Sequence, residues 1–242
     1  MNYIGVDGCK NGWLYVGLDD GNNWEIGVFP DIQHLIDRFQ QARLILVDIP
    51  IGLRGKGPRE RLCDKDARKV LGPKRGTSVF PVPCRAAVYA SSYEEASRIN
   101  QERTARRLSK QSWAISPKIR EVDLLLRTSE AARGLVREVH PEVCFWGLDG
   151  ERSMTHPKRT PEGFAERLEV IRKVYGECDE CVKEALRKHE GRGAARDDIL
   201  DALAAAVTAR FGLNALKTLP EAPERDEEGL PMEMVYYNPL LS

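Results

Sequence analysis

Apolar residues in the first fifty positions come in short runs separated by turn residues. Tyr3-Ile4-Gly5-Val6 stops at Asp7, Gly8 to Gly12 has the composition of a turn, and Trp13–Leu18 is the next run. Asp19–Asn23 turns the chain again into Trp24–Phe29. Runs of this length bounded by Gly, Asn and Asp predict a three-strand meander. Pro30-Asp31 then opens a helix over 32–41, with Asp31 as its N-cap. Leu44–Val47 is continuously apolar, as a buried strand is, and ends at Asp48. A helical crossover lays this strand parallel to the first and beside it. Asp7 and Asp48 are then expected at equal depth on neighbouring central strands, at the carboxyl ends where open α/β sheets place ligands. The plainer reading is that aspartate ends strands because it makes turns.

Beyond residue 53 the rhythm changes. A helix is expected over 59–71, closed by Gly72-Pro73, and the prolines of 76–83 demand an extended segment. Two more helices are expected near 92–110 and 117–130, so 53–133 reads as an insertion or cap over the sheet edge. A fifth strand over 133–140 follows, then charged helices over 161–174 and 177–190. Next comes an Ala/Leu-rich helix that begins near Arg196. The tail from about 219 is rich in Pro and Glu and is expected to be loop, ending in a short strand near 234–237. The whole, 1–242, reads as one α/β domain.

Composition supports this picture and adds one asymmetry. With 42% apolar and 31% charged residues, the chain can bury a core and present a polar surface. It holds no apolar run of membrane-spanning length, and its N-terminus lacks signal-peptide character. The expected location is the cytoplasm, with no membrane partner. Net charge is zero, yet residues 1–53 balance to −4, 54–127 to +10 and 128–242 to −6. A basic middle suits a polyanionic partner such as nucleic acid, although charge-rich solvated helices give the same count. Of six cysteines only Cys178 and Cys181 have metal or redox spacing. A zinc site needs two further ligands, so reduced thiols are the better expectation.

The candidate chemistry lies in carboxylates. Asp198 and Asp201 stand three apart near the start of the last helix and so share a face. Acidic residues also favour helix N-termini for electrostatic reasons. Joined by Asp7 and Asp48, they make a four-carboxylate site for Mg²⁺ or Mn²⁺, which prefer hard oxygen ligands. Two such ions about 3.5–4 Å apart can activate water and stabilise a leaving oxygen. Glu138, His140 and Glu142 alternate along the expected fifth strand, so Glu142 or Glu138 is a candidate extra ligand and His140 a proton carrier or substrate contact. Arg61, Asp64 and Arg68 are spaced three and then four apart, which suits a salt-bridge network or, through the two arginines, a phosphate clamp. Lys10 and Ser78 are further candidate substrate contacts. Trp13 and Trp24 are expected in the core.

The order strand-Asp, meander, helix, strand-Asp, strand, helix-Asp-x-x-Asp resembles the ribonuclease H-like superfamily, and Asp198–Ala204 is similar to the final catalytic helix of bacterial Holliday-junction resolvases. More closely, the chain resembles a family of predicted ribonuclease H-like nucleases known as domain of unknown function 429. The matching stretches are Gly5–Trp13, Val47–Leu53, Arg61–Arg68, Ser78–Pro81, Glu138–Glu142 and the Asp198/Asp201 helix. The resemblance implies a mixed five-stranded sheet in the order 3-2-1-4-5, with strand 2 antiparallel, flanked by helices. It also implies a catalytic, metal-ligating role for Asp7, Asp48, Asp198 and Asp201 in cleavage of DNA or RNA phosphodiesters. Resolvase-type sites commonly carry glutamate where this chain has the shorter Asp48. Two alternatives stay open. One is a nucleic-acid-binding module without catalysis; the other is phosphotransfer of the actin-like and sugar-kinase kind, for which the chain is short.

Overall fold

In a computed structural model, which describes residues 1–191 and 193–241, the meander forms as expected. Strands β1 (Tyr3–Cys9), β2 (Gly12–Leu18) and β3 (Trp24–Phe29) are joined by tight turns. Helix α1 (Ile32–Arg38) then crosses over, with the Asp31 carboxylate accepting from His34 N–H at 2.9 Å. It delivers β4 (Leu44–Val47) parallel to β1, and β5 (Val136–Glu138) lies parallel to β4. The sheet order is β3-β2-β1-β4-β5, with β2 antiparallel to both its neighbours. This is the mixed α/β sheet that the pattern and the resemblance implied.

Strand alternation sorts the sheet into two faces. Ile4, Val6, Ile45, Val47 and Val136 point to one side, against α1 and α5 (Lys110–Thr128) through Leu35, Ile119, Val122 and Leu126. Tyr3, Leu44 and Leu46 point to the other, against α7 (Pro141–Leu148), α8 (Pro161–Val174), α9 (Cys178–His189) and α10 (Arg196–Gly212). Gly5 and Asp7 share the parity of Tyr3, and Asp48 continues that of Leu46, so both aspartates belong to the α10 face. Helix α10 crosses β1 at Gly5, where a Cβ would stand 2.0 Å from the Ala202 carbonyl oxygen and 2.2 Å from Ala206 N. A glycine facing an alanine stripe is what lets helix and strand approach this closely. The helix is apolar on nearly every side and is buried accordingly.

Four expectations change. First, Arg133–Leu135 belong to α6 (Glu130–Leu135), and β5 holds only three residues. Second, the strand ends at Glu138, and Glu142 lies in α7 with Pro141 at its first turn, so strand alternation does not govern that cluster. Third, the tail is a hairpin, β6 (Lys217–Arg225) and β7 (Pro231–Tyr236). Its Met232, Met234 and Tyr236 pack on Cys63, Ala67 and Leu71 of α2 (Leu62–Arg75), and Arg137 pairs with Glu233 at 2.8 Å. Fourth, 53–133 is only partly a cap. Its long helix α5 is a layer of the sheet, because its apolar positions recur at helical spacing and face the strands. The cap proper is α3 (Arg85–Val88) and α4 (Tyr93–Thr104), which share a small core of their own, beside α2, whose buried residues pack on the hairpin and α7. Helix α2 bends at Gly72, whose φ of 68° interrupts the helical backbone near the expected stop.

Candidate metal centre

β1 and β4 set the first two carboxylates side by side. Val6 pairs with Val47, and Asp48 N–H donates to Val6 O at 2.9 Å, so the next residue on each strand is an aspartate at the same level. β1 continues two residues past Asp7, which makes Asp7 an inner strand position rather than a strand end. Close packing of α10 on Gly5 brings Asp201 over the same point, and Asp198 lies one turn earlier. Asp7 and Asp201 are buried, and Asp48 is partly exposed.

The electrostatics show how crowded this point is. Burial, followed by the charges of Asp48, Asp201 and Asp198, raises the Asp7 carboxyl well above the usual carboxylate range. Burial and then Asp201 push Asp48 up to about 8. Burial pushes Asp201 to about 6, against the pull of the Lys158 ammonium, which donates to Asp201 Oδ2 at 2.7 Å. Lys158 also stands 3.3 Å from Asp197, and its own pKa is raised by these acids. A second ammonium approaches from the opposite face. Lys118 of α5 donates to Gly12 O at 2.5 Å and lies 4.2 Å from the Trp13 ring centroid, with its charge felt by Cys9 and Asp7.

Asp198 is turned partly away. Its carboxylate accepts the Ala195 N–H at 2.8 Å, which is half of a capping box, and alanine at the N-cap cannot supply the other half. The structural and the chemical readings of the Asp198/Asp201 pair therefore divide between its members: Asp198 caps the helix, and Asp201 faces the strands. Accordingly, no three of the four aspartates bring ligand atoms within 4.8 Å of one another; among the described residues Cys63, Asp64 and Glu138 do. That second group is filled by a guanidinium. Arg61 contacts Asp64 at 2.6 Å and Glu138 at 2.7 Å, with all three residues buried.

The extra-ligand candidates separate as well. Glu138 has the parity of Val136 and points away from α10, toward Arg61 and the Ile51 N–H, which donates to it at 2.6 Å. Glu142 is close enough to Asp201 to raise its pKa. One Glu142 oxygen accepts from buried Arg167, while its Oε2 is buried without a partner. Asp201 Oδ1 is likewise buried and unpartnered. These two orphaned oxygens, one of them on Asp201 with Asp7 and Asp48, are hard donors of the kind Mg²⁺ or Mn²⁺ takes, and no three of Asp7, Asp48, Asp201 and Glu142 bring ligand atoms within 4.8 Å of one another.

The expected substrate contacts scatter. His140 is the N-cap residue of α7 and lines a small pocket with Asp48, its buried Nδ1 unpartnered and its pKa lowered by burial. Arg61 is the salt-bridge residue described above. Arg68 bonds Val79 O at 2.9 Å and pairs with Glu60, not with Asp64. Ser78 Oγ donates to Arg75 O, and Lys10 is an exposed turn residue. Cys178 and Cys181 are buried core thiols, raised by burial to about 11 and about 12. Sequence reasoning missed Lys158 altogether. The only signal for it is a Lys-Arg pair just before the Thr160-Pro161 helix start.

The sequence model of the family described as protein of unknown function (DUF429) matches residues 5–225. The chain belongs to this family. No curated protein and no solved structure matches it. The matched span of the DUF429 domain includes every carboxylate of the site, both lysines and strand β6, and ends before β7.

Proposed function

We propose that this DUF429 protein is a metal-dependent nuclease of the ribonuclease H-like kind, hydrolysing phosphodiester bonds of nucleic acid at Asp7, Asp48 and Asp201, with Glu142 as a further ligand. The observation that carries the reading is the orphaned Asp201 Oδ1, buried beside two aspartates whose pKa values are raised by burial and by one another. Carboxylates crowded in this way are stable as anions only with a cation among them. Bound Mg²⁺ or Mn²⁺ would supply that charge and the means to activate water. The chain's own residues supply the rest. Arg167 fixes Glu142, the Gly5–Ala202 contact fixes Asp201 against β1, and Lys118 and Lys158 offset negative charge from either side. Asp198 is a helix cap first and a ligand only after reorientation.

One observation favours a second reading, the non-catalytic binding module: Lys158 already compensates Asp201. Thermal unfolding with added Mn²⁺ separates the two by mass action on the native state. A nuclease centre requires a rise in Tm that Asp7→Asn loses. An unchanged midpoint in both proteins removes the metal centre from consideration. Labelled DNA, RNA and branched substrates, incubated beside ATP, then test the reaction. Nucleotide turnover without strand cleavage would point to phosphotransfer instead.

A further inference from the structure

The strongest unassigned feature lies in the cap. The loop 54–60 is clamped to the end of α4, with Gly57 N–H donating to Arg103 O at 2.8 Å. Ala105 adopts a left-handed φ of 61° and reverses the chain after α4. Buried Asn100 then fixes both walls, donating to Arg106 O at 2.8 Å and accepting from Cys84 N–H at 2.9 Å. Between these walls is a cavity of about 100 Å³. At about 30 Å³ per liquid water it holds on the order of three waters, which is room for a phosphate-sized group.

Its lining is cationic. Arg54, Arg59, Arg61, Arg106 and Arg107 border it, against Glu60 and Asp64 alone. Three of the arginines are engaged: Arg54 with Glu224, Arg61 with Asp64 and Glu138, and Arg106 with Glu60. Arg59 and Arg107 have no ion pair or hydrogen bond among the described residues and are exposed at the rim. Arg54 Nε is buried without a partner. The cavity is not remote from the carboxylates. Arg61, Asp64 and Val82 line it and also line the small pocket that reaches Asp48 and His140. The +10 balance of residues 54–127 thus has a local focus that shares a wall with the pocket lined by Asp48.

We propose that this cavity is a phosphate-binding subsite, in which Arg59 and Arg107, with Arg54 behind them, hold a backbone phosphate of a nucleic-acid strand whose neighbouring linkage lies at Asp48. Guanidinium groups suit this task because their planar forks match phosphate oxygens. The inference rests on the nuclease reading only for the source of the phosphate. The phosphate chemistry of the cavity stands apart from it.

The test is binding without cleavage. Fluorescence anisotropy with labelled single-stranded and duplex oligonucleotides, in EDTA and across a salt series, compares the wild type with the double variant R59E/R107E. Both side chains are exposed and unpartnered, so the variant should unfold at the wild-type temperature. R59Q/R107Q serves as a milder pair. Affinity for oligonucleotide should fall at least tenfold at low salt. The log–log salt slope should shrink by about one phosphate's worth, roughly 0.7–0.9. A parallel arm measures thermal shifts with pyrophosphate and ATP. If these stabilise the wild type but not R59E/R107E, and no oligonucleotide binds, the subsite stands with a free phosphate ester as ligand and nucleic acid is excluded. Equal affinity and slope in both proteins, or no response to any phosphate-bearing probe, overturns the proposal. Because no arm contains metal, failure of the carboxylate centre would show separately, in the Mn²⁺ titration.

Discussion

Asp48 and Asp201 carry folded pKa values of about 8 and about 6, well above those of an unfolded aspartate, and Asp7 is shifted in the same direction. Between pH 4 and pH 8 the folded chain therefore binds more protons here than the unfolded chain does. Metal-free stability must fall as pH rises through that window. Asp48→Asn removes one of the groups responsible. In EDTA it should match the wild type near pH 4 and exceed it at pH 8 by on the order of 1 kcal/mol or more, about 2–4 °C in Tm for a domain of this size. Calorimetry at the two pH values checks this, and a wild type that gains stability toward pH 8 would contradict it. Lys158 gives the complementary case. Lys158→Met leaves Asp197 and Asp201 without their cation, and should cost about 1–3 kcal/mol in EDTA, allowing for the partial exposure of the lysine. Saturating Mn²⁺ should recover most of that loss. If Mn²⁺ stabilises the variant no more than the wild type, Lys158 and the ion do not share a place.

At the scale of elements, the site depends on one crossing. Helix α10 reaches β1 only because Gly5 has no side chain and Ala202, Ala205 and Ala206 are small. A Gly5→Val side chain meets helix backbone, which cannot give as a flexible side chain could. The expected cost is above the 1–3 kcal/mol usual for overpacking, and urea unfolding of the purified variant measures it. Near-normal stability with Mn²⁺ binding intact would mean that the crossing does not position Asp201. Most of these elements are legible in the sequence: the meander, the Asp31 cap, the crossover and the Asp198/Asp201 helix all follow from local pattern. The run Arg133–Glu142 was misread because six residues of helix, three of strand and another helix start succeed one another too quickly for periodicity to resolve. The strand expected near 234–237 corresponds to β7, whereas its partner β6 is not legible because Pro220 and Pro223 argue against strand, yet both lie in a two-stranded ribbon free of a central-strand position.

Over the whole molecule, α2 beside the cap is fastened to the sheet by a buried charge cluster. Arg61 reaches from the start of α2 to Glu138 at the end of β5 and to the Ile51 carbonyl at 2.9 Å. Arg61→Met strands two buried carboxylates and should cost about 3–5 kcal/mol. This helix should loosen first, so hydrogen exchange in 58–72 should quicken before that in β1 and α10. Uniform exchange across both regions would mean that α2 and the sheet unfold as one unit. The spacing of Arg61 and Asp64 announced a salt bridge, and its third member, Glu138, came from 77 residues away. Similarly, the sequence by itself determined the meander, the placing of β4 parallel to and beside β1, the depth of Asp7 and Asp48 and the shared helix face of Asp198 and Asp201, because strand alternation, crossover geometry and helical spacing are local rules, while the full sheet order came through the family resemblance. Only the tertiary structure decided that Asp198 caps its helix, that Glu142 and not Glu138 stands beside Asp201, and that Lys158 and Lys118 face the acids. Those choices depend on which side chains distant segments bring within hydrogen-bonding reach, and no local periodicity encodes such distances.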